Sequence, residues 1–319
     1  MSLLPRLKAL FTLPGALLIL TALVSCSNPK ATDQSTNQSK LNVVTTFLPI
    51  TLFTEAVAGE CATVTALIPP NLGPHDFQAT PADIAALGKA TVLVKNGLGM
   101  EYFLDKLTKS ANNSLLQVID SSRGVTVIMS DAGTDGDKDN DLNYGEVNPH
   151  IWLDPLRAVQ QVENIRDGLV KADPDCTEGY TQRSAAYVAL LKGLNTTIAT
   201  QLKPFQGQTF IAFHDFAPYF AERYGLKADF VVDVPEMNPT PADLQRVSIK
   251  VQQSQLKALL SEPQEGDRSF NALAEDLGVK VVTFDPLETG SEQASKRPDT
   301  YFKVMDKNVV SLIKSFGSY

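Results

Sequence analysis

Histidine, tryptophan and cysteine are the scarce residues of this chain: 319 residues hold three His, one Trp and three Cys. Other absences narrow the function. The net charge is −8 with a sequence pI near 5.0 and no basic stripe, which excludes nucleic acid as a partner. No HExxH helix or second histidine cluster is present, and a metallohydrolase would need an open metal position with an activated water and a nearby base. Beyond the N-terminal segment no apolar run is long enough to span a bilayer. Residues 27–40, SNPKATDQSTNQSK, lack any large apolar side chain and read as a solvated tether.

What is present begins with Arg6 and Lys8, an apolar run over residues 9–24, and Leu23-Val24-Ser25-Cys26. A basic start, a short apolar centre and small residues before the cut describe a secretory signal. The Cys after Leu-Val-Ser adds a bacterial lipobox, so residues 1–25 are expected to be removed and Cys26 lipidated. A plain membrane anchor is the alternative, but Pro14 and Gly15 interrupt the run. The expected location is outside the cytoplasm, periplasmic or at the cell surface, tethered to the membrane by that lipid. Cys61 and Cys176 then stand in an oxidising compartment. A Cys61–Cys176 disulfide and two small buried hydrophobes are both open readings.

From residue 41 on, short apolar strands alternate with helical stretches. Strands are expected over 41–47, 61–68, 91–94 and 117–120, with helices over 50–58, 81–87 and 100–109 between them. The second half repeats the style, with strands over 209–213, 229–233, 256–260 and 280–284 and helices over 216–224, 241–254, 270–277 and 301–316. Strands apolar on both faces and separated by helices point to an α/β fold with doubly wound parallel sheets. Between the halves, Tyr180 is followed by Ala185, Val188, Leu191, Leu194, Ile198 and Leu202, which recur at three- and four-residue steps. They predict one long amphipathic helix acting as a stiff strut. The expected division is a first domain over 41–175, a linker helix over 176–203 and a second domain over 204–319.

Each histidine sits in a short Pro- or aromatic-rich segment: Gly73-Pro74-His75-Asp76-Phe77, Asn148-Pro149-His150-Ile151-Trp152 and Ala212-Phe213-His214-Asp215-Phe216. A lone His is more often a hydrogen-bonded structural residue than a ligand. Three widely spaced imidazoles plus one carboxylate, however, would make a closed tetrahedral site that only the folded chain can assemble. His214 and Asp285 each follow a strand at its carboxyl end, where open α/β sheets bind ligands. Asp76, Asp215 and Glu236 read as caps or surface residues, and Glu262 as a supporting or structural residue.

The segments GPHDFQATPADI, KNGLGMEYFLDKL, NPHIWLDP, FHDFAPYFAERYGL, NPTPADL and TFDPL, in that order, make the chain from about residue 41 to its C-terminus resemble the zinc- and manganese-binding cluster of ABC-transporter solute-binding lipoproteins. The resemblance implies two similar α/β domains joined by a long rigid helix, with the metal in the interdomain cleft. It implies His75 and His150 from the first domain and His214 and Asp285 from the second as ligands. The partners implied are an ABC permease and its cytoplasmic ATPase, with a monomer as the default state. Manganese members often carry Glu where His214 stands. A third imidazole therefore shifts the expected ion toward zinc, with manganese or mixed zinc and manganese uptake as the alternative. A surface adhesin, as some relatives were first described, has no independent support in the residues.

One stretch departs from the family pattern. Zinc members commonly carry a His-rich loop before the second ligand, whereas Ser130–Val147 here has no His and many Asp. Asp135, Asp137, Asp139, Asp141 and Glu146 fall at positions 1, 3, 5, 7 and 12 of an EF-hand-type calcium loop, with Leu142 at the apolar position and Asn140 where Gly is expected. An acidic loop that gathers cations weakly is the other reading. Capture by neutral imidazoles predicts affinity falling below about pH 6.5. Release is expected to need a small movement separating the two ligand pairs.

Overall fold

The computed structural model describes residues 40–130, 147–233, 238–254, 256, 258–263 and 268–317. The expected signal, the tether, the Cys26 lipidation site and the acidic loop with Asp135, Asp137, Asp139, Asp141 and Glu146 lie outside the described residues, as does Glu236.

The first half runs β1 (Leu41–Thr45), α1 (Leu48–Ala58), β2 (Ala62–Ala66), α2 (Pro81–Lys89), β3 (Val92–Lys95), α3 (Leu104–Ala111) and β4 (Gln117–Asp120). Then come α4 (Pro155–Ala172) and the long α5 (Thr177–Leu202). The second half runs β5 (Thr209–His214), α6 (Pro218–Tyr224), β6 (Lys227–Val232), α7 (Pro241–Ser254), β7 (Ala258–Ser261), α8 (Arg268–Asp276), β8 (Lys280–Thr283), α9 (Glu292–Ser295) and α10 (Thr300–Ser315). The alternation read from the sequence is present, with ends shifted by a few residues. The sequence reading assigned no element to residues 156–175, where α4 lies. Its start signals are local: the Asp154 side chain accepts from Leu156 N–H, and Pro155 fills the first position, where no backbone donor is needed.

Both sheets are four-stranded and all parallel, in the orders β2-β1-β3-β4 and β6-β5-β7-β8. The second repeats the topology of the first. In each, strand order reverses between the two central strands, which opens a crevice at their carboxyl ends. Both crevices hold a buried carboxylate. After β1 and β3, Glu101 accepts from Thr46 Oγ1 at 2.7 Å and from the backbone N–H of Asn96 and Gly97 at 2.7 and 3.0 Å. After β5 and β7, Glu262 accepts from His214.

The helix between the halves is no free-standing strut. It packs against α4, α1 and α10 along its length. The buried stripe is Tyr180, Ser184, Tyr187, Val188, Leu191, Leu194, Ile198 and Leu202, so Ser184 and Tyr187 replace the expected Ala185, which faces solvent. At its start Cys61 and Cys176 are joined by a disulfide closing 115 residues of chain. Arg183 braces the same corner, donating to the carbonyls of Val57 and Ala58 at 2.8 Å each.

One apolar core runs through both halves, from Val43 and Phe47 to Phe284, Tyr301 and Leu312. Trp152, fully buried, is its junction. Its ring lies edge-on to Phe47 at 5.1 Å, its Nε1 donates to Pro286 O at 2.8 Å, and Tyr301 Oη donates to its carbonyl at 2.7 Å. Among the described residues, no helix is long and apolar enough to cross a membrane.

Candidate metal centre

Each histidine is delivered by an element end. His75 sits in the β2–α2 connection, which meets the segment after β8 through Gly290 N–H donating to Pro70 O at 2.5 Å. A Cβ on Gly290 would stand 2.9 Å from Leu48 Cδ2, so a larger residue there would push the Leu48 side chain aside. His150 begins the short helical turn before α4, and His214 is the last residue of β5. Together with Glu288 they form the single group of potential metal ligands among the described residues, all four buried, with ligand atoms within 4.8 Å of one another.

Glu288 Oε1 lies 3.5 Å from His75 Nε2, 3.1 Å from His150 Nε2 and 3.4 Å from His214 Nε2, and the last two nitrogens are 3.3 Å apart. A tetrahedron whose vertices lie about 2.05 Å from its centre, the zinc–nitrogen distance, has edges of about 3.35 Å. Four of the six separations in the group, at 3.1–3.5 Å, are close to that edge, and the remaining two lie within 4.8 Å.

Asp285, expected as the fourth ligand, is not in this group. Its carboxylate accepts from Leu287 N–H at 2.8 Å, and its own N–H donates to Asn308 Oδ1 at 2.8 Å. The carboxylate thus caps the turn Asp285-Pro286-Leu287-Glu288, in which Leu287 takes a left-handed φ of 64°. That turn swings Glu288 inward and holds Asp285 away from the histidines. Burial pushes the Asp285 carboxyl up to about 6. The motif TFDPL stops one residue short of the carboxylate that converges with the histidines. A reading continued to Pro286-Leu287-Glu288-Thr289 would have offered two candidates in place of one. Asp215 is half-buried beside Asn148; Asp76 is exposed.

Protons in the centre are ordered by what each nitrogen faces. His150 Nδ1 and its backbone N–H both meet Asn148 Oδ1, at 3.0 and 3.1 Å. Burial holds its imidazole down at about 4, so it is neutral at pH 7. His214 Nδ1 and its backbone N–H meet Glu262 Oε1 at 2.7 and 3.1 Å. Burial opposes a charge on His214, but the carboxylates of Glu262 and Glu288 outweigh it and hold the imidazole well above its ordinary range. Burial raises the Glu262 carboxyl, partly offset by His214. Burial would also raise Glu288, but the histidines around it hold it well below the usual carboxylate range. The metal-free centre therefore keeps a proton on His214, between the Glu262 and Glu288 carboxylates.

Several known proteins are similar to this chain. The zinc-binding lipoprotein AdcA of Streptococcus pneumoniae is 31% identical over 293 residues, 91% of this chain; the chain spans 58% of that relative's length. The protein named high-affinity zinc uptake system protein ZnuA of Bacillus subtilis is 28% identical over 311 residues, 96% of each chain. The crystal structure of the Zn(II)-bound ZnuA-like domain of Streptococcus pneumoniae AdcA aligns with a TM-score of 0.73 at 30% identity, covering 88% of this chain and all of that one. Residues 43–315 match the model of the family described as zinc-uptake complex component A, periplasmic, and the chain belongs to that family.

Proposed function

We propose that the protein captures a zinc ion outside the cytoplasm and hands it to an ABC-type permease driven by a cytoplasmic ATPase. The ligands would be His75, His150, His214 and Glu288, and a lipid on Cys26 would hold the chain at the membrane. The observation that carries this reading is a set of four buried donors within 4.8 Å of one another, four of whose six separations are close to a tetrahedral zinc-site edge. The names of the zinc-binding and zinc-uptake relatives support it. Four protein ligands fill a tetrahedral shell and leave no place for the activated water of a hydrolase, which favours a carrier. Three nitrogens and one oxygen suit zinc better than manganese, which prefers oxygen-rich sets.

The test is competition on the metal-free protein, with zinc and manganese titrated separately and then together. One tight zinc site that excess manganese leaves filled is the expected result. Manganese binding as tightly as zinc would assign the chain to mixed or manganese uptake. No tight site for either ion would end the metal-carrier reading.

Zinc loading should also release protons. His214 must give up its raised-pKa proton before Nε2 can bind metal. Since that pKa is raised, the proton is fully bound below the ordinary His value, and apparent affinity declines as pH falls through the raised one. The onset thus lies above the pH of about 6.5 expected for an unperturbed His. His150, held down at about 4, adds nothing near neutrality. Calorimetry at pH 7 in buffers of different ionisation enthalpy should show about one proton released per zinc, the stoichiometry of ligand deprotonation. Buffer-independent heats would contradict the proton placement.

A further inference from the structure

We propose that Asn148 and Asp215 act together as positioning residues that decide which nitrogen of His150 faces the metal. A neutral imidazole carries one N–H and one lone pair, and only the lone pair can take a metal. Asn148 is 1% exposed, and every polar atom of it is engaged. Its Nδ2 faces two oxygens of Asp215 across the halves, the main-chain carbonyl at 2.7 Å and the carboxylate Oδ2 at 3.0 Å. Both accept and neither donates, so the amide group facing them is the NH2. Oδ1 must then face His150, as the His150 backbone N–H, which can only donate, also requires. Tyr219 Oη donates to the Asn148 carbonyl at 2.6 Å, and Asn148 N–H donates to Ile128 O at 3.0 Å, so the backbone is held as well.

An acceptor fixed against His150 Nδ1 favours the tautomer with hydrogen on Nδ1 and the lone pair on Nε2, against Glu288 Oε1, which lies 3.1 Å from Nε2 and would draw the hydrogen there. Turned by 180°, the same amide would present its NH2 to Nδ1 and favour hydrogen on Nε2, which blocks the metal. What prevents the turn is Asp215, next in sequence to the ligand His214. The second half therefore sets the tautomer of a ligand supplied by the first, and the site is complete only while the halves stay together. Other groups that hold ligands are shorter in reach: Glu262 and His214 lie in the same sheet.

The inference rests on the proposed metal centre, and the experiment separates the two. Two-bond proton–nitrogen correlations of the His rings in 15N-labelled, metal-free protein at pH 7 report each tautomer, assigned with single-His variants. Zinc affinity is measured against a chelating dye, and melting temperature reports the fold. In the wild type His150 is expected to show hydrogen on Nδ1. Asn148→Leu should give a mixture of tautomers and weaken zinc binding by about 10–100-fold, the range for losing a partner that orients a metal ligand. Asn148→Asp keeps the acceptor but sets a second carboxylate against Asp215. It should melt lower yet retain the Nδ1 hydrogen and bind zinc more tightly than the Leu variant. A purely structural residue would make affinity follow melting temperature. Hydrogen on Nε2 in Asn148→Asp, or a pure Nδ1 tautomer and unchanged affinity in Asn148→Leu, would overturn the proposal. Zinc that leaves all three histidine signals of the wild type unmoved would instead overturn the metal centre itself.

Discussion

Glu288→Ala is expected to weaken zinc binding by more than about 100-fold, while Asp285→Ala costs about tenfold or less, the scale of losing a supporting partner. The two carboxylates are three residues apart and both buried, so charge alone does not separate them. Position does. Glu288 Oε1 touches the Nε2 atoms of three histidines at 3.1–3.5 Å, whereas Asp285 spends its oxygen on Leu287 N–H. Removing Glu288 deletes a donor and the negative charge that balances the ion. Removing Asp285 loosens the turn that presents Glu288. Asp285→Asn should lie close to wild type, because an amide oxygen can also accept from Leu287 N–H. The measurement is dye competition on each variant, with melting of the metal-free form as control. An Asp285 variant weaker than the Glu288 variant would return Asp285 to the ligand set.

Asp154→Ala is expected to cost about 3–5 kcal/mol of stability, the scale of stripping one partner from a buried ion pair. Asp154 is 0% exposed and holds both arginines near it. Arg223 reaches it with Nε at 2.8 Å and Nη2 at 2.7 Å, and Arg157 with Nη1 at 2.8 Å. Arg157 also reaches Glu222 at 2.8 Å and Thr126 O at 2.9 Å, and its guanidinium lies 4.6 Å above the Tyr219 ring. Asp154 and Arg157 belong to the first half, Glu222 and Arg223 to α6 of the second. Truncation would leave the buried Arg157 with only the exposed Glu222 carboxylate as counter-charge, uncap α4 and remove the Arg223 tie between the halves together. Arg246→Ala, which breaks the more exposed pair with Asp229, should cost no more than about 1 kcal/mol. Urea unfolding of the three proteins makes the comparison. A loss below about 1 kcal/mol for Asp154→Ala would mean that the network is not what joins the halves.

Much of this was legible before any coordinates. Three histidines in 319 residues, each in a turn-forming segment, are few enough to be considered together, and they do converge. Short apolar runs alternating with helical stretches mark the repeated parallel sheets, because strands buried on both faces must read as apolar runs. Glu288 was harder to find. It is one of 36 acidic residues, and its approach depends on a left-handed Leu287 that no local preference announces. The packing partners of the linker helix are hidden from the sequence for a related reason. Periodicity marks an apolar stripe but not its partner, and here the partners come from both halves. Helix α4 is harder to see because its start lies inside the motif around His150 and Trp152, directly after Asp154.

The shared core also governs when the chain can fold. Trp152 is enclosed by Phe47 on one side and by Tyr301 and Pro286 on the other. Partners that far apart in sequence must close long loops before any gain from contact is realised, which slows folding. A ribosome or translocon that has released only the first half would leave the Trp152 pocket open, with neither Tyr301 nor Pro286 to cover it. The nascent chain should therefore be unable to close its core until almost its whole length is out. Its metal site, whose carboxylate arrives at position 288, would be the last part to take shape.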